Sequence, residues 1–166
     1  MRIWPRRAAA ARPQTCVGQW LCAALLGRLE LRDRLRRMLN GGKEGWNYDE
    51  PAVVEAASEL AVMRFFGTDY DARDISGAVS WMRDVELARN KTPHGQMEME
   101  AVIRSALGEG DVDLSGIIPP VLFEIRAQVV AYVVLKLGWP AADIVRMIVQ
   151  AEQMAFDRDW HPPLAN

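Results

Sequence analysis

The stretch VLFEIRAQVVAYVVLKLG, residues 121–138, carries apolar side chains around almost its whole helical circumference. A helix that is apolar on all sides lies either inside a protein core or across a membrane. The uninterrupted apolar run 129–135 is much shorter than the roughly 20 residues that a spanning helix needs. The sequence therefore predicts that 121–137 is the central helix of a compact bundle and does not cross a membrane. Four polar side chains support this choice: Glu124, Arg126, Gln128 and Lys136.

Four other helices are predicted from their start and stop signals. Asp49 or Glu50 is expected to cap a helix that Pro51 starts and Gly67 ends. Asp71 is expected to cap the next helix. Two later starts are predicted at the prolines of a Thr-Pro pair and a Trp-Pro pair, Thr92-Pro93 and Trp139-Pro140.

No segment alternates between apolar and polar residues with the period of two that strands show. The predicted fold class is therefore all-α, with about five helices around 121–137 and a basic N-terminal extension.

The charge of the chain is divided unevenly along its length. Residues 1–38 contain nine Arg and two acidic residues, a net charge of +7, whereas the whole chain of 166 residues has a net charge of −2. We therefore predict a basic extension and linker outside the fold (1–45), a helical domain (46–158) and a tail (159–166). The favoured explanation for the basic extension is a start codon assigned too far upstream, with Met38 as the true first residue. The alternatives are a secretory signal, a transit peptide and an extra amphipathic helix.

Both cysteines, Cys16 and Cys22, lie in the extension. A body without cysteine excludes a disulfide framework, a thiolate metal site and a cysteine nucleophile from the predicted domain. This usage is typical of a reducing compartment, so we expect a cytoplasmic protein.

The segment GEGDVDLSGIIPP, residues 108–120, partly follows the calcium-loop pattern. Asp111, Asp113 and Ser115 stand at its first, third and fifth places, but Leu122 stands where the closing bidentate Glu is needed. We interpret the segment as an Asx-type turn and keep a weak divalent-metal or enzyme site there as a remote alternative.

Other candidates for chemistry are incomplete. His94 and Glu98 form half of a metal site at best, and Glu124 is expected to need a partner from another element if it is buried. Arg64 and Glu86 fall on the apolar stripes of their helices. Such a charged residue marks either the place where the stripe leaves the core or an edge that binds a partner. Catalytic residues therefore stay unassigned, no cofactor is predicted, and a non-catalytic role is favoured.

The helix pair 121–137/140–156 is similar in layout to a DNA-reading pair, with Arg146, Gln150 and Gln153 on the second helix. The acidic body disfavours nucleic acid, so a DNA-binding transcriptional regulator is the alternative function.

Tryptophans at helix ends and on helix flanks favour a different class of function. Partly exposed Trp is enriched where proteins contact partners. We therefore predict a protein-protein interaction or assembly module that binds another protein or itself. The expected partner-binding residues are Trp46, Trp81, Trp139 and Trp160.

Overall fold

A computed structural model of the chain describes residues 11–40 and 49–165. Over those residues the chain forms seven α-helices and no strand, which confirms the all-α prediction. The helices are α1 Cys16–Leu25, α2 Leu29–Asn40, α3 Glu50–Phe66, α4 Ala72–Ala88, α5 Gln96–Ala106, α6 Pro119–Leu137 and α7 Ala141–Asp157.

Local signals fix several of the helix ends. Asp71 Oδ1 accepts hydrogen bonds from the backbone N–H groups of Arg73 and Asp74, at 2.7 and 3.1 Å. In this capping box the Asp71 N–H donates to Asp74 Oδ2, and the box confirms the predicted start of α4. Gly138 ends α6 with a positive φ of 61°, a conformation that glycine adopts without steric cost.

The start of α5 differs from the prediction. Thr92 is not its cap; the helix begins at Gln96, with Gly95 at the N-cap position. The Thr-Pro signal is consistent with an extended segment as well as with a helix start, because residues before proline avoid the helical region.

The centre of the bundle is occupied by α3, which packs against α1, α5, α6 and α7. Small residues such as Ala56, Ala57 and Ala61 are fully buried along α3 and let neighbouring helices approach on several sides. By contrast, α6 exposes Leu135 and Leu137. The predicted central position of α6 is therefore not confirmed.

The expectation that residues 1–45 lie outside the fold does not hold for their described part. Val17 and Leu21 of α1 are 0% and 1% exposed and join the common core. Four of the nine arginines in residues 1–38 lie on α2, where Arg34, Arg36 and Arg37 are exposed. Because the composition of residues 1–38 was considered as a whole, these charges outweighed the apolar residues of α1.

The N-terminus of α1 is held by the far end of the chain. Thr15 caps the helix by accepting a hydrogen bond from Gly18 N–H through its hydroxyl, and it donates that hydroxyl to Glu152 of α7. Backbone hydrogen bonds of 2.8 Å also join Cys16 N–H to Pro163 C=O and Ala165 N–H to Gln14 C=O. The described part of the predicted tail is thus bound to the start of α1.

None of the helices in the described ranges combines the length and the apolar character that crossing a membrane requires.

Candidate functional site

A cleft of about 730 Å³ opens between α1, α2 and α6, above the first turn of α3. Its apolar wall consists of rings and aliphatic side chains from three helices. Trp20 of α1 and Phe123 of α6 lie with ring centroids 5.4 Å apart and a tilt of 32° between their planes. The remaining apolar lining includes Leu21, Ala24, Leu25, Leu39, Ala127 and Ala131. We refer to this space as the α1–α6 cleft.

Two polar atoms in the walls of the α1–α6 cleft are buried without a hydrogen-bond partner. They are the indole N–H nitrogen of Trp20 and the amide oxygen Oε1 of Gln128. Buried polar groups in native proteins are nearly always hydrogen-bonded, because an unpaired one costs about 1–3 kcal/mol. Both atoms have almost no accessible surface, so a ligand in the cleft reaches either of them only after its side chain rotates.

Glu50, a residue that is only 9% exposed, contributes its carboxyl group to the same cleft. It is the first residue of α3, and its carboxyl has no hydrogen bond or ion pair with any residue in ranges 11–40 and 49–165. Burial raises the pKa of Glu50 from its ordinary value of 4.5 to about 7. A carboxyl in this state holds a proton near neutrality and gives it up when a positive charge arrives.

Charged side chains at the mouth of the cleft have partners elsewhere or are solvated. Arg32 of α2 forms an ion pair of 2.6 Å with Asp33, and Arg36 and Lys91 are exposed. His94 and Glu124 approach each other at 3.9 Å. None of these cations forms an ion pair with the Glu50 carboxyl.

Glu124 is not the buried acid that the apolar surroundings of 121–137 suggested. Its side chain is 58% exposed, whereas the mostly buried Arg126 forms the structural ion pair of this helix, at 2.8 Å from Glu55. Burial lowers the pKa of the Arg126 guanidinium, and the nearby Glu55 acts in the opposite direction.

Glu86 and Arg64, the two charges predicted on apolar stripes, have separate roles. Glu86 is buried and accepts a hydrogen bond from the hydroxyl of Tyr132, which ties α4 to α6. Burial and the neighbouring Glu86 raise the pKa of Tyr132 above its ordinary value. Arg64 instead lies over the ring of Trp139, with its guanidinium carbon 5.0 Å from the centroid.

The predicted partner-binding tryptophans have different surroundings. Trp81 packs edge-on against Tyr132, at 5.6 Å between centroids, and Lys136 Nζ lies 4.8 Å from its ring. Trp139 is covered by Arg64, and Trp160, beyond the end of α7, is 41% exposed. Trp46 lies outside the described residues. Within the described part of the chain, no ring contact joins one of these tryptophans to another, so their common binding face stays a prediction.

The acidic segment before α6 forms the turn that its sequence predicts. Asp113 Oδ1 accepts a hydrogen bond of 2.8 Å from Ser115 N–H, and this bond lowers the pKa of Asp113. Asp111 points into solvent, 3.8 Å from Arg104. Within ranges 11–40 and 49–165, no group of three or more His, Cys, Asp or Glu side chains could hold a metal ion, and His94 and Glu98 belong to none.

The predicted DNA-reading pair, α6 and α7, is arranged with each helix packed mainly on α3. Arg146 forms an ion pair with Asp143 at 2.8 Å, and Gln153 donates a hydrogen bond to Asp157. These contacts occupy two of the three side chains that the sequence offered for base contacts.

The residues of the α1–α6 cleft were missed by sequence reasoning for an identifiable reason. Trp20 lies in the extension that composition set apart from the fold, and Glu50 was interpreted only as a helix cap. Gln128 is one turn from Glu124 on α6, and this spacing was the only local signal of a polar position facing a cleft.

Comparison of the chain with protein-family models, curated proteins and solved structures found no match.

Proposed function

We propose that this protein is a non-catalytic binding protein that takes a small, largely apolar molecule with a polar head into the α1–α6 cleft. The observation that carries the proposal is Glu50, a buried carboxyl group without a partner among the described residues, in a cleft with aromatic walls.

The volume and chemistry of the cleft fit this role. Ligand pockets are concave spaces of roughly 300–1,000 Å³ with mostly apolar walls and a few polar groups that fix orientation. The α1–α6 cleft has about 730 Å³, and its polar groups are Glu50, Gln128 and the indole N–H of Trp20. Burying these groups costs free energy in the empty protein, and a ligand that satisfies them recovers it.

A variant that fills the cleft tests the proposal. Ala131 lines the cleft but is exposed, so Ala131→Trp adds bulk without disturbing the core. Binding of 4-phenylbutanol, 4-phenylbutylamine and 4-phenylbutyrate is measured by calorimetry. We expect at least one of them to bind the natural protein and to bind Ala131→Trp much more weakly.

The matched control is Ala142→Trp, at an exposed position at the start of α7 away from the cleft. It should bind the same compound as the natural protein does. If none of the three compounds binds, or if both Trp variants bind equally well, the cleft is not the binding site.

A protein-interaction or assembly module, which the sequence favoured, is the second candidate function. A groove of about 570 Å³ is lined by Phe66, Tyr70, Trp81 and Lys136. Its lining also includes charges of both signs, so a second copy turned by a twofold axis can match it. Sedimentation equilibrium should then show a dimer that Arg73→Glu weakens and Arg146→Glu, outside the groove, does not; a monomer at all concentrations removes this candidate.

A further inference from the structure

We infer that the α1–α6 cleft selects an ammonium ligand: a primary amine on an aromatic or aliphatic body, with its charged nitrogen paired to the carboxylate of Glu50. This inference rests on the proposed function, because it names the class of ligand that the cleft takes.

The first argument is charge. Glu50 is buried and has no cation paired with it in the described ranges. A buried carboxylate without a counter-charge is strongly disfavoured, whereas a buried pair is compensated by its own attraction and hydrogen bonds. An entering ammonium supplies that missing charge. An entering carboxylate would instead place two like charges in the same apolar space.

The second argument is hydrogen bonding. An ammonium group has three N–H donors and no acceptor. Gln128 Oε1 is an acceptor without a donor in the wall of the same cleft, and its amide reaches a ligand by rotation about its last side-chain torsion, which is soft. The carboxylate of Glu50 offers further acceptor positions. The indole N–H of Trp20 is a donor and does not contribute to this preference.

The third argument is the aromatic wall. Trp20 and Phe123 form a ring pair that faces the same space. A cation near the face of an aromatic ring is attracted by the negative charge of that face, most strongly by Trp and in desolvated sites. A neutral alcohol of the same shape has no such attraction to the rings.

The charged and titratable groups around Glu50 do not reverse this preference. Exposed cations at the mouth are screened by solvent and salt, whereas the interaction inside the cleft is not. The Cys16 thiol is close enough for Glu50 to raise its pKa, and burial is the larger cause. The other titratable and charged groups that line the cleft are Arg32, Arg36, Lys91, His94 and Glu124.

Proton exchange provides a signature of this site. Because the empty site holds Glu50 with a pKa of about 7, a bound ammonium lowers that pKa and expels a proton near and below neutral pH. The affinity for the amine should therefore rise with pH up to about 8. The released proton makes the measured heat of binding depend on the ionisation heat of the buffer.

The test compares three compounds with the same body and different heads, 4-phenylbutylamine, 4-phenylbutanol and 4-phenylbutyrate, on the full chain at pH 8. We expect the amine to bind at least about tenfold more tightly than the alcohol, and the butyrate to bind most weakly. In Glu50→Gln the amine should bind no more tightly than the alcohol. Glu98→Gln, an exposed position on α5 outside the cleft, should keep the advantage.

The outcomes separate this inference from the proposed function. If the alcohol or the butyrate binds and the amine has no advantage, or if Glu50→Gln keeps that advantage, the ammonium inference is wrong and binding in the cleft stands. If no compound binds, both fail. Circular dichroism and a cooperative urea transition show that Glu50→Gln is folded. Heats that are identical in phosphate and Tris at pH 6.5 also contradict the inference.

Discussion

Glu152 of α7 accepts two hydrogen bonds from Thr15, one of 2.8 Å from its backbone N–H and one of 2.7 Å from its hydroxyl, across 137 residues of sequence. The carboxylate also accepts from the backbone N–H of Gln14. Glu152 is 3% exposed and Thr15 is 0% exposed, so water cannot replace the carboxylate at the Thr15 donors. These hydrogen bonds therefore join the N-terminus of α1 to α7.

Replacing Glu152 should destabilise the fold strongly. Glu152→Ala leaves buried donors without an acceptor, and we expect it to lower the free energy of unfolding by about 3 kcal/mol. Glu152→Gln keeps one acceptor and should lose less. Urea unfolding measures both values. Gln150→Ala, on the exposed face of α7, should change stability by less than about 0.5 kcal/mol; an equal loss in both variants contradicts the role of Glu152.

The same contact explains a glycine inside a helix. A Cβ atom at Gly18 of α1 would collide with Glu152 and lie 2.8 Å from Thr15 Oγ1. Although Ala is favoured over Gly in helices by about 1 kcal/mol, we expect Gly18→Ala to destabilise the protein by more than about 1 kcal/mol. Gly77 of α4 is the matched control, because its Cβ would meet nothing within 4 Å. Gly77→Ala should raise the thermal midpoint, and an increase for both variants refutes the contact.

A third prediction tests whether α1 belongs to the core. Leu21 is 1% exposed, and removal of such a side chain typically costs about 2–5 kcal/mol. Leu29 at the start of α2 is 56% exposed and serves as the control. Denaturant unfolding should show a large loss for Leu21→Ala and a loss below about 0.5 kcal/mol for Leu29→Ala. Equal midpoints would mean that the extension does not contribute to the fold in solution.

The fourth prediction concerns pH. The pKa of Glu50 is about 7 in the folded chain and has its ordinary value of 4.5 in the unfolded chain, so the folded state binds more protons between these values. The contribution of Glu50 to stability is therefore present below pH 4.5 and is lost as the pH rises through 7. Relative to Glu50→Gln, the natural protein should lose about 1–3 kcal/mol between pH 4.5 and 8.

Unfolding in urea at several pH values measures this difference. Glu98→Gln, on the exposed face of α5, is the control for removal of one carboxylate. If the difference between the natural protein and Glu50→Gln is constant with pH, Glu50 is not a desolvated carboxyl.

Features set by neighbouring residues were predictable from the sequence, and those set by distant contacts were not. Asp71 and Gly138 determine helix ends through groups a few residues away, so their roles could be predicted. The central position of α3 depends on its small alanines, which let four helices approach it. The apolar pattern of the sequence alone does not show whether α3 or α6 is the central helix. Glu50 has the residue type of a cap, and only tertiary packing makes it a buried acid.

The dependence of Thr15 on Glu152 also sets an order of events on the ribosome. The apolar face of α1 emerges early in synthesis, yet the acceptor that completes its first turn is made 137 residues later. Until then the Thr15 donors at the start of α1 lack the carboxylate that they bind in the folded chain. A translation product that stops short of Glu152 therefore never forms this contact.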